Sequence, residues 1–322
     1  MNLALLLTVA QSSWTPISDG ILAELARTHS ASADRFTHET AGISVDRTNG
    51  DVYLLANNVG ICKSTDQGRT FSLISGTAVT GRFETGWGLN IDPKGGRLMC
   101  FTIYGSSAYS PDAGKTWSVS KLSHLDYGAV DWYDSGRAFL AIGHESGGRL
   151  LYSSDTGSEW KTLGTGYWAV GLFGRQTLVA AVEGTPGILR SLDGGSTWAK
   201  VSDKPLAAPV MVEFKKVGYW LGEYGLLESR DQGATWSLAA ATPKGASLGP
   251  IFGKDERHLV VGAPDGLYES ADAGKTWRLA APPAPGMKVL PRGKYATYGW
   301  DSKRGIFFGS QMMMPAFRYP AR

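Results

Sequence analysis

Two histidines and a tyrosine are the strongest candidates for acid–base chemistry in this sequence. His124 and His144 lie twenty residues apart, and Tyr167 follows them in the chain. Histidine changes charge nearest to neutral pH, so its imidazole serves general acid–base catalysis well. Titratable residues that cluster at one end of a domain indicate a shared pocket. We therefore predict that His124, His144 and Tyr167 form a catalytic set.

Further polar residues on the same side of the predicted fold are candidates for holding a substrate. Carboxylates can act in pairs in glycoside hydrolases, one as the acid and one as the base or nucleophile. The candidates for such a pair are Glu84, Asp126, Glu145, Glu183 and Glu223. A basic trio, Lys288, Arg292 and Lys294, or else Arg82, can neutralise a substrate carboxylate. The predicted substrate-binding residues are Arg82, Glu84, Tyr104, Glu145, Glu183 and Glu223.

Imidazole groups are also metal ligands. His38, His124 and His144, with a glutamate, have suitable ligand types. They lack the tight spacing that is typical of metal sites. We therefore predict no metal and no cofactor.

A repeated phrase determines which elements position these residues. The frame Ser-x-Asp-x-Gly-x-x-aromatic occurs six times, and its aspartates are separated by 46, 43, 38, 38 and 41 residues. A period near forty residues is about the length of one four-stranded propeller blade. The aspartates are Asp66, Asp112, Asp155, Asp193, Asp231 and Asp272.

The phrase is predicted to form a turn that is held by side-chain hydrogen bonds, and not to be part of a catalytic site. The aspartate accepts hydrogen bonds from nearby backbone N–H groups, and the glycine two residues later permits a positive φ. The aromatic residue then enters the next strand and can wedge between adjacent sheets. We expect four of these residues to be largely buried between blades, namely Trp117, Trp198, Trp236 and Trp277.

Strand-like runs accompany every phrase. In the first repeat, residues 41–47 and 51–56 are β-rich runs bounded by turn residues, and 60–64 leads into the phrase. Residues 295–320 repeat this pattern without a phrase and lack a fourth strand, whereas residues 12–18 resemble the fourth strands. We predict an all-β, seven-bladed β-propeller of four-stranded antiparallel blades, its last blade closed by the N-terminal strand. Such closure removes exposed sheet edges.

The bulk composition agrees with one large repeat domain. The chain has 322 residues, 43% of them apolar and 19% charged, with 42 glycines and a net charge of +3. This charge is too small to indicate nucleic-acid binding.

Cys62 and Cys100 are expected to be buried free thiols, although a disulfide is an open alternative. Residues 1–10 form a possible signal segment, too short to span a membrane, and 11–322 a single propeller domain. We expect a secreted or periplasmic monomer, with a cytoplasmic location as the alternative.

The six phrases resemble Asp-box (BNR) repeats. Such repeats occur in sialidases, xyloglucanases, some polysaccharide lyases, sorting-receptor ectodomains and a photosystem assembly factor. The resemblance implies a ligand face built from the connections opposite the phrases. The order His124, His144, Tyr167 is similar to that of seven-bladed lyases acting on uronate–rhamnose polymers. It implies that one histidine is the base, that Tyr167 is base or acid, and that the other histidine binds the carboxylate. Glu183 stands where those lyases have an arginine.

These patterns predict a carbohydrate-active propeller. The leading hypothesis is a polysaccharide lyase that cleaves an acidic glycan by β-elimination, so the expected partner is an oligo- or polysaccharide. A glycoside hydrolase with a carboxylate pair, other than a typical sialidase, is one alternative. A non-catalytic propeller that binds a glycan or a protein, or assists assembly, is the other.

Overall fold

The chain forms seven four-stranded antiparallel sheets in a ring, which confirms the predicted β-propeller. This architecture is seen in a computed structural model that describes residues 13–18, 25, 40–83, 85–143, 147–312 and 314–321. In the first six blades the four strands pair in chain order. We label them A to D, with A at the propeller axis and D at the rim. No helix among these residues is long and apolar enough to cross a bilayer.

The first three blades follow one another from residue 40 to residue 164. Blade one contains β2 (Thr40–Val45), β3 (Val52–Ala56), β4 (Gly60–Ser64) and β5 (Ser72–Leu73). Blade two contains β6 (Leu89–Ile91), β7 (Leu98–Cys100), β8 (Ser106–Ser110) and β9 (Ser118–Ser123). Blade three contains β10 (Leu125–Val130), β11 (Phe139–Gly143), β12 (Arg149–Ser153) and β13 (Lys161–Gly164).

The next three blades repeat this arrangement. Blade four contains β14 (Tyr167–Phe173), β15 (Thr177–Val182), β16 (Ile188–Ser191) and β17 (Ala199–Ser202). Blade five contains β18 (Val212–Phe214), β19 (Val217–Gly222), β20 (Gly225–Ser229) and β21 (Ser237–Ala240). Blade six contains β22 (Leu248–Phe252), β23 (Leu259–Ala263), β24 (Gly266–Ser270) and β25 (Arg278–Ala281).

Blade seven is completed by the N-terminal strand, as predicted. Its sheet combines β1 (Thr15–Pro16) with β26 (Ala296–Asp301), β27 (Ile306–Gln311) and β28 (Phe317–Pro320). Thr15 pairs with Arg318 and Pro16 with Phe317. The backbone N–H of Ala316 donates to Ser18 Oγ. These contacts cover the edge of β28, while residue 12 of the predicted run lies outside the described residues.

The hydrophobic core lies between adjacent blades. Between blades one and two, for example, Tyr53, Phe83 and Leu98 are buried in one apolar cluster with Cys100. Cys62 and Cys100 are free and buried, as expected, and burial raises the pKa of the Cys62 thiol to about 12. These thiols therefore stay protonated and pack as small apolar groups.

The repeated phrases form the predicted turns. In the first one, Thr70 donates to Asp66 from its backbone N–H and from its Oγ1 hydroxyl. The glycine that follows each aspartate has a φ between 79° and 88° in all six turns. Ser64 adds a contact that the sequence analysis did not assign, since its Oγ accepts from the Gly68 N–H and donates to Asp66. Hydrogen bonds from Thr197 lower the pKa of Asp193 in the fourth turn to about 2.

The aromatic residues of the phrases are less uniform than predicted. Trp236 is 7% exposed and packs against Trp220, with ring centroids 5.7 Å apart. Trp117, Trp198 and Trp277 pack against the apolar clusters between blades but are less completely buried than Trp236. Their indole N–H groups donate to backbone carbonyls, in Trp117 to that of Ile74, in Trp198 to that of Gly195 and in Trp277 to that of Ala241.

We predict that these tryptophans differ in their contribution to stability. Trp236→Ala should lower the free energy of unfolding by about 3–5 kcal/mol, the usual cost of removing a buried aromatic side chain. Trp198→Ala should cost about 1–2 kcal/mol, because less apolar surface returns to water. Urea denaturation of both variants measures the difference, and equal losses would contradict it.

The closure of blade seven gives a second prediction. Deleting residues 1–18 removes β1 and exposes the edge of β28, so we expect soluble aggregates. Deleting residues 1–12 keeps β1 and is the matched control. Size-exclusion chromatography with light scattering distinguishes the two proteins. A monomeric, equally stable 1–18 deletion would show that β1 is dispensable.

Candidate functional site

A long connection crosses one mouth of the propeller. We call residues 282–295, between β25 and β26, the strap; it contains a short 3₁₀ turn at Pro291–Gly293. Ser247 of blade six donates from Oγ to the Leu290 carbonyl at 2.9 Å. Lys294 forms an antiparallel bridge with Thr85 before blade two. The strap therefore reaches from blade six to the opposite side of the ring.

The strap and blades three and four enclose a cleft of about 440 Å³, which we call the strap cleft. It lies on the face opposite the repeated turns. Its walls come from the inner ends of β10 and β14, from the turn after β15 and from the strap. The side chains in its lining include Thr85, Asp126, Tyr127, Tyr167, Trp168, Glu183, Arg292 and Lys294.

An arginine–carboxylate contact closes this cleft. Arg292 donates from Nη1 to Glu183 Oε2 at 2.8 Å and from Nη2 to Oε1 at 2.9 Å. The Arg292 guanidinium also lies 4.0 Å from the centroid of the Trp168 ring. Two parallel charge-assisted bonds and a cation–π contact fix both the position and the plane of the guanidinium.

The strap backbone is held in an uncommon conformation beside this contact. Arg292 and Tyr295 have φ values of 62° and 65°, in the left-handed region that non-glycine residues seldom adopt. Such residues cost free energy and cluster at ligand clamps. This observation marks the strap cleft as a candidate binding site.

Tyr167 is positioned on the floor of the strap cleft by backbone pairing. Its N–H donates to the Gly148 carbonyl at 2.9 Å. Gly148 has a φ of 69°, and a Cβ there would come within 2.1 Å of the Tyr167 carbonyl oxygen. Burial raises the pKa of the Tyr167 phenol, which therefore stays neutral near neutral pH. The neighbouring Tyr127 hydroxyl donates to the Trp168 carbonyl at 2.6 Å.

His124 belongs to a different group of side chains on the same face. Its ring meets Tyr104 edge-on at 5.2 Å, and the Arg82 guanidinium lies 4.9 Å from the Tyr104 ring centroid. Among the described residues that line the strap cleft, Tyr167 is present and His124 is absent. That the two share a pocket stays a prediction.

The other predicted site residues are distributed as follows. Glu183 lines the strap cleft, and Glu223 is exposed on the turn between β19 and β20. Glu84, His144 and Glu145 lie outside the described residues. In the described part of the chain no group of three His, Cys, Asp or Glu side chains is arranged to hold a metal ion.

The contact of Arg292 with Glu183 is not predicted by the sequence, in which Arg292 is one of a basic trio and the charge of the strap is the available signal. The contact itself joins residues 109 positions apart, so no local pattern announces it.

A second cavity runs along the propeller axis. This axial cavity measures about 210 Å³ and is lined mainly by apolar side chains of the inner strands. We call the end of this cavity that faces the repeated turns its lower end, and the end that faces the strap its upper end. Near the lower end the Arg47 guanidinium lies 4.6 Å from the Phe214 ring centroid. Burial, followed by the charge of Asp131, raises the pKa of Glu213 in its wall to about 7.

Glu213 should make stability depend on pH. Its ordinary pKa is near 4.5, so between pH 4.5 and 7 the folded protein keeps a proton that the unfolded chain releases. Stability contributed by this group is therefore full below pH 4.5 and is lost as pH rises through 7. Relative to the native protein, Glu213→Gln should therefore raise the free energy of unfolding progressively between pH 4.5 and 8, by up to about 3 kcal/mol.

Urea unfolding at pH 4.5, 6 and 8 measures this difference. Glu223→Gln, on an exposed turn, is the matched control. Its difference from the native protein in the free energy of unfolding should not change with pH. A constant offset between Glu213→Gln and the native protein at all three pH values would contradict the assignment.

Comparisons with known proteins support the fold. No protein-family model and no curated protein matches the sequence. The chain is similar to YCF48 from Cyanidioschyzon merolae, with 13% identity, a TM-score of 0.53, and coverage of 95% of this chain and 98% of that one. A structure of YCF48 bound to a D1 peptide matches with 15% identity and a TM-score of 0.55. The match covers 97% of this chain and 98% of that one. An extracellular domain assigned to a two-component system of B. thetaiotaomicron matches with 8% identity and a TM-score of 0.56, over 96% of this chain and 39% of that one.

Proposed function

We propose that the chain is a binding propeller that recognises a carboxylate group of a polypeptide at the strap cleft. The observation that carries this proposal is the bidentate contact of Arg292 with Glu183 against the Trp168 ring. A guanidinium fork held in this way is complementary to carboxylates. Glu183 occupies the position that a ligand carboxylate would take.

Exchange of Glu183 for a ligand is physically reasonable. The Glu183 side chain is 56% exposed, and that of Arg292 is 37% exposed. Solvent screens an exposed pair, so an incoming carboxylate displaces a weaker contact than it would if the pair were buried. Lys294 lines the same cleft and adds a second positive charge for an acidic segment.

The charges in the strap cleft favour binding over proton transfer. The raised pKa of Tyr167 makes its phenolate scarce near neutral pH, which disfavours this residue as a base. Both oxygens of Glu183 accept hydrogen bonds from Arg292, so neither is available to a substrate while this contact is formed. These two observations disfavour Tyr167 as a base and hold Glu183 in its contact with Arg292.

The choice of a polypeptide as ligand is supported by the fold comparison. YCF48 matches this chain over nearly the full length of both proteins, and one of its structures holds a D1 peptide. The TM-scores of 0.53 and 0.55 support the shared fold, and at 13–15% sequence identity the ligand is left to be tested.

A peptide-selection experiment tests the proposal. A random peptide library is selected on the native protein, and the best binder is measured by calorimetry with each carboxyl group replaced in turn by its amide. We expect one amide replacement to weaken binding at least tenfold. Arg292→Gln should weaken the carboxylate form at least tenfold, whereas Glu183→Gln should tighten it, because the internal competitor is gone.

Arg230→Gln is the matched control. Arg230 forms a similar exposed pair with Glu228 at 2.9 Å, but it lies on a repeated turn at the opposite face. This variant should bind the peptide like the native protein. Selected peptides that bind Arg292→Gln as tightly as the native protein would refute the strap cleft as the binding site.

An acidic-glycan lyase is the second candidate. One observation favours it: Arg292 and Lys294 line the same cleft as Tyr167 and can neutralise a uronate despite Glu183. Absorbance of unsaturated uronate on a panel of polyuronates detects this activity, and reducing ends without that absorbance would indicate a hydrolase. Loss of at least about a hundredfold in Tyr167→Phe would then support Tyr167 as acid or base.

We also assign the six repeated turns to the Asp-box (BNR) class. The support is their common geometry: in each, a serine hydroxyl donates to the aspartate and accepts from the glycine N–H. The same pair of contacts recurs from Ser110 to Ser270. This assignment concerns the fold and does not identify a ligand.

A further inference from the structure

The axial cavity has the size and lining of a small-molecule site. Its volume of about 210 Å³ exceeds the roughly 150 Å³ of an engineered apolar cavity that binds benzene. Its wall includes Leu89, Val130, Leu172 and Ile251 from four different blades. A body of one aromatic ring with a short substituent fits such a space.

Two polar atoms in the cavity wall have no hydrogen-bond partner among the described residues. Trp87 Nε1 is buried near the upper end, and Glu213 Oε2 is buried near the lower end. Buried polar atoms are costly unless they are paired. The indole N–H needs an acceptor, and a carboxylate needs a donor.

The charges around Glu213 indicate which donor is suitable. Asp131 and Asp134 act on Glu213 with negative charge, and Lys216 acts with positive charge. Arg47 lines the same end of the cavity and adds a second positive charge. Among the described residues, however, no cation pairs with Glu213 Oε2, so a ligand cation can pair with it directly. A carboxylate in an apolar wall is stabilised best by a charge that pairs with it directly.

We propose that the axial cavity binds a small apolar amine that carries an oxygen acceptor at its other end. The ammonium group pairs with Glu213, the apolar body packs against the aliphatic wall, and the oxygen accepts from Trp87 Nε1. This site is separate from the strap cleft and does not depend on the proposed peptide-binding function.

Three matched probes test the inference on the full chain. Tyramine has an aromatic body, an amine and a hydroxyl; phenethylamine lacks the hydroxyl, and 4-ethylphenol lacks the amine. Calorimetry at pH 8 should show tyramine binding at least tenfold tighter than 4-ethylphenol, and phenethylamine in between. Comparable affinity for tyramine and 4-ethylphenol, or no binding of any probe at millimolar concentration, would overturn the proposal.

Two variants locate the bound amine. Glu213→Gln keeps the size of the side chain and should weaken tyramine at least tenfold while leaving 4-ethylphenol unchanged. Val212→Phe adds volume to the partly exposed wall and should weaken all three probes. Arg230→Gln, on the outer turn of blade five, should bind tyramine normally. Tyramine binding that is unchanged in Glu213→Gln would place the amine elsewhere and refute the site.

Discussion

The pairing of β1 with β28 is the contact on which the rest of the structure depends. Thr15 and Pro16 hold the seventh blade closed, and β26 then packs against β2 of the first blade. Once the ring is closed, the inner strands of all seven blades surround one axis, and the axial cavity exists only because of this arrangement. A two-residue strand carries this constraint because the neighbouring contacts of Ile17 and Ser18 with Ala316 reinforce it.

The geometry of a blade explains why the strap lies where it does. Each D strand ends at the rim and the next A strand begins at the axis, so every connection between them crosses the same face. Between β13 and β14 only residues 165–166 make this crossing, whereas the strap uses 282–295. The additional length lets the strap extend beyond its own blades to Thr85 and Glu183. The charge of Arg292 is therefore delivered to blade four by a segment that belongs to blade seven.

The features that the sequence predicted are those determined by neighbouring residues. Each repeated turn is complete within nine residues, so the roles of Asp66 and Gly68 follow from their types and spacing. Burial of the aromatic residue depends on the adjacent blade, which explains why Trp236 is more completely buried than Trp198. The contact between Glu183 and Arg292 depends on the path of the strap over the folded ring. A single sequence therefore shows the two charges but not their pairing.

The strap also links the two cavities physically. Arg292 closes the strap cleft, and the next residue, Gly293, lies beside Trp87 at the upper end of the axial cavity, where a Cβ would be 3.6 Å from Nε1. Because a planar peptide bond joins these residues, a displacement of Arg292 moves the backbone that contacts Trp87. A ligand that shifts the backbone of Arg292 would therefore also alter the wall of the second cavity. By thermodynamic linkage, any such effect between the two sites is reciprocal.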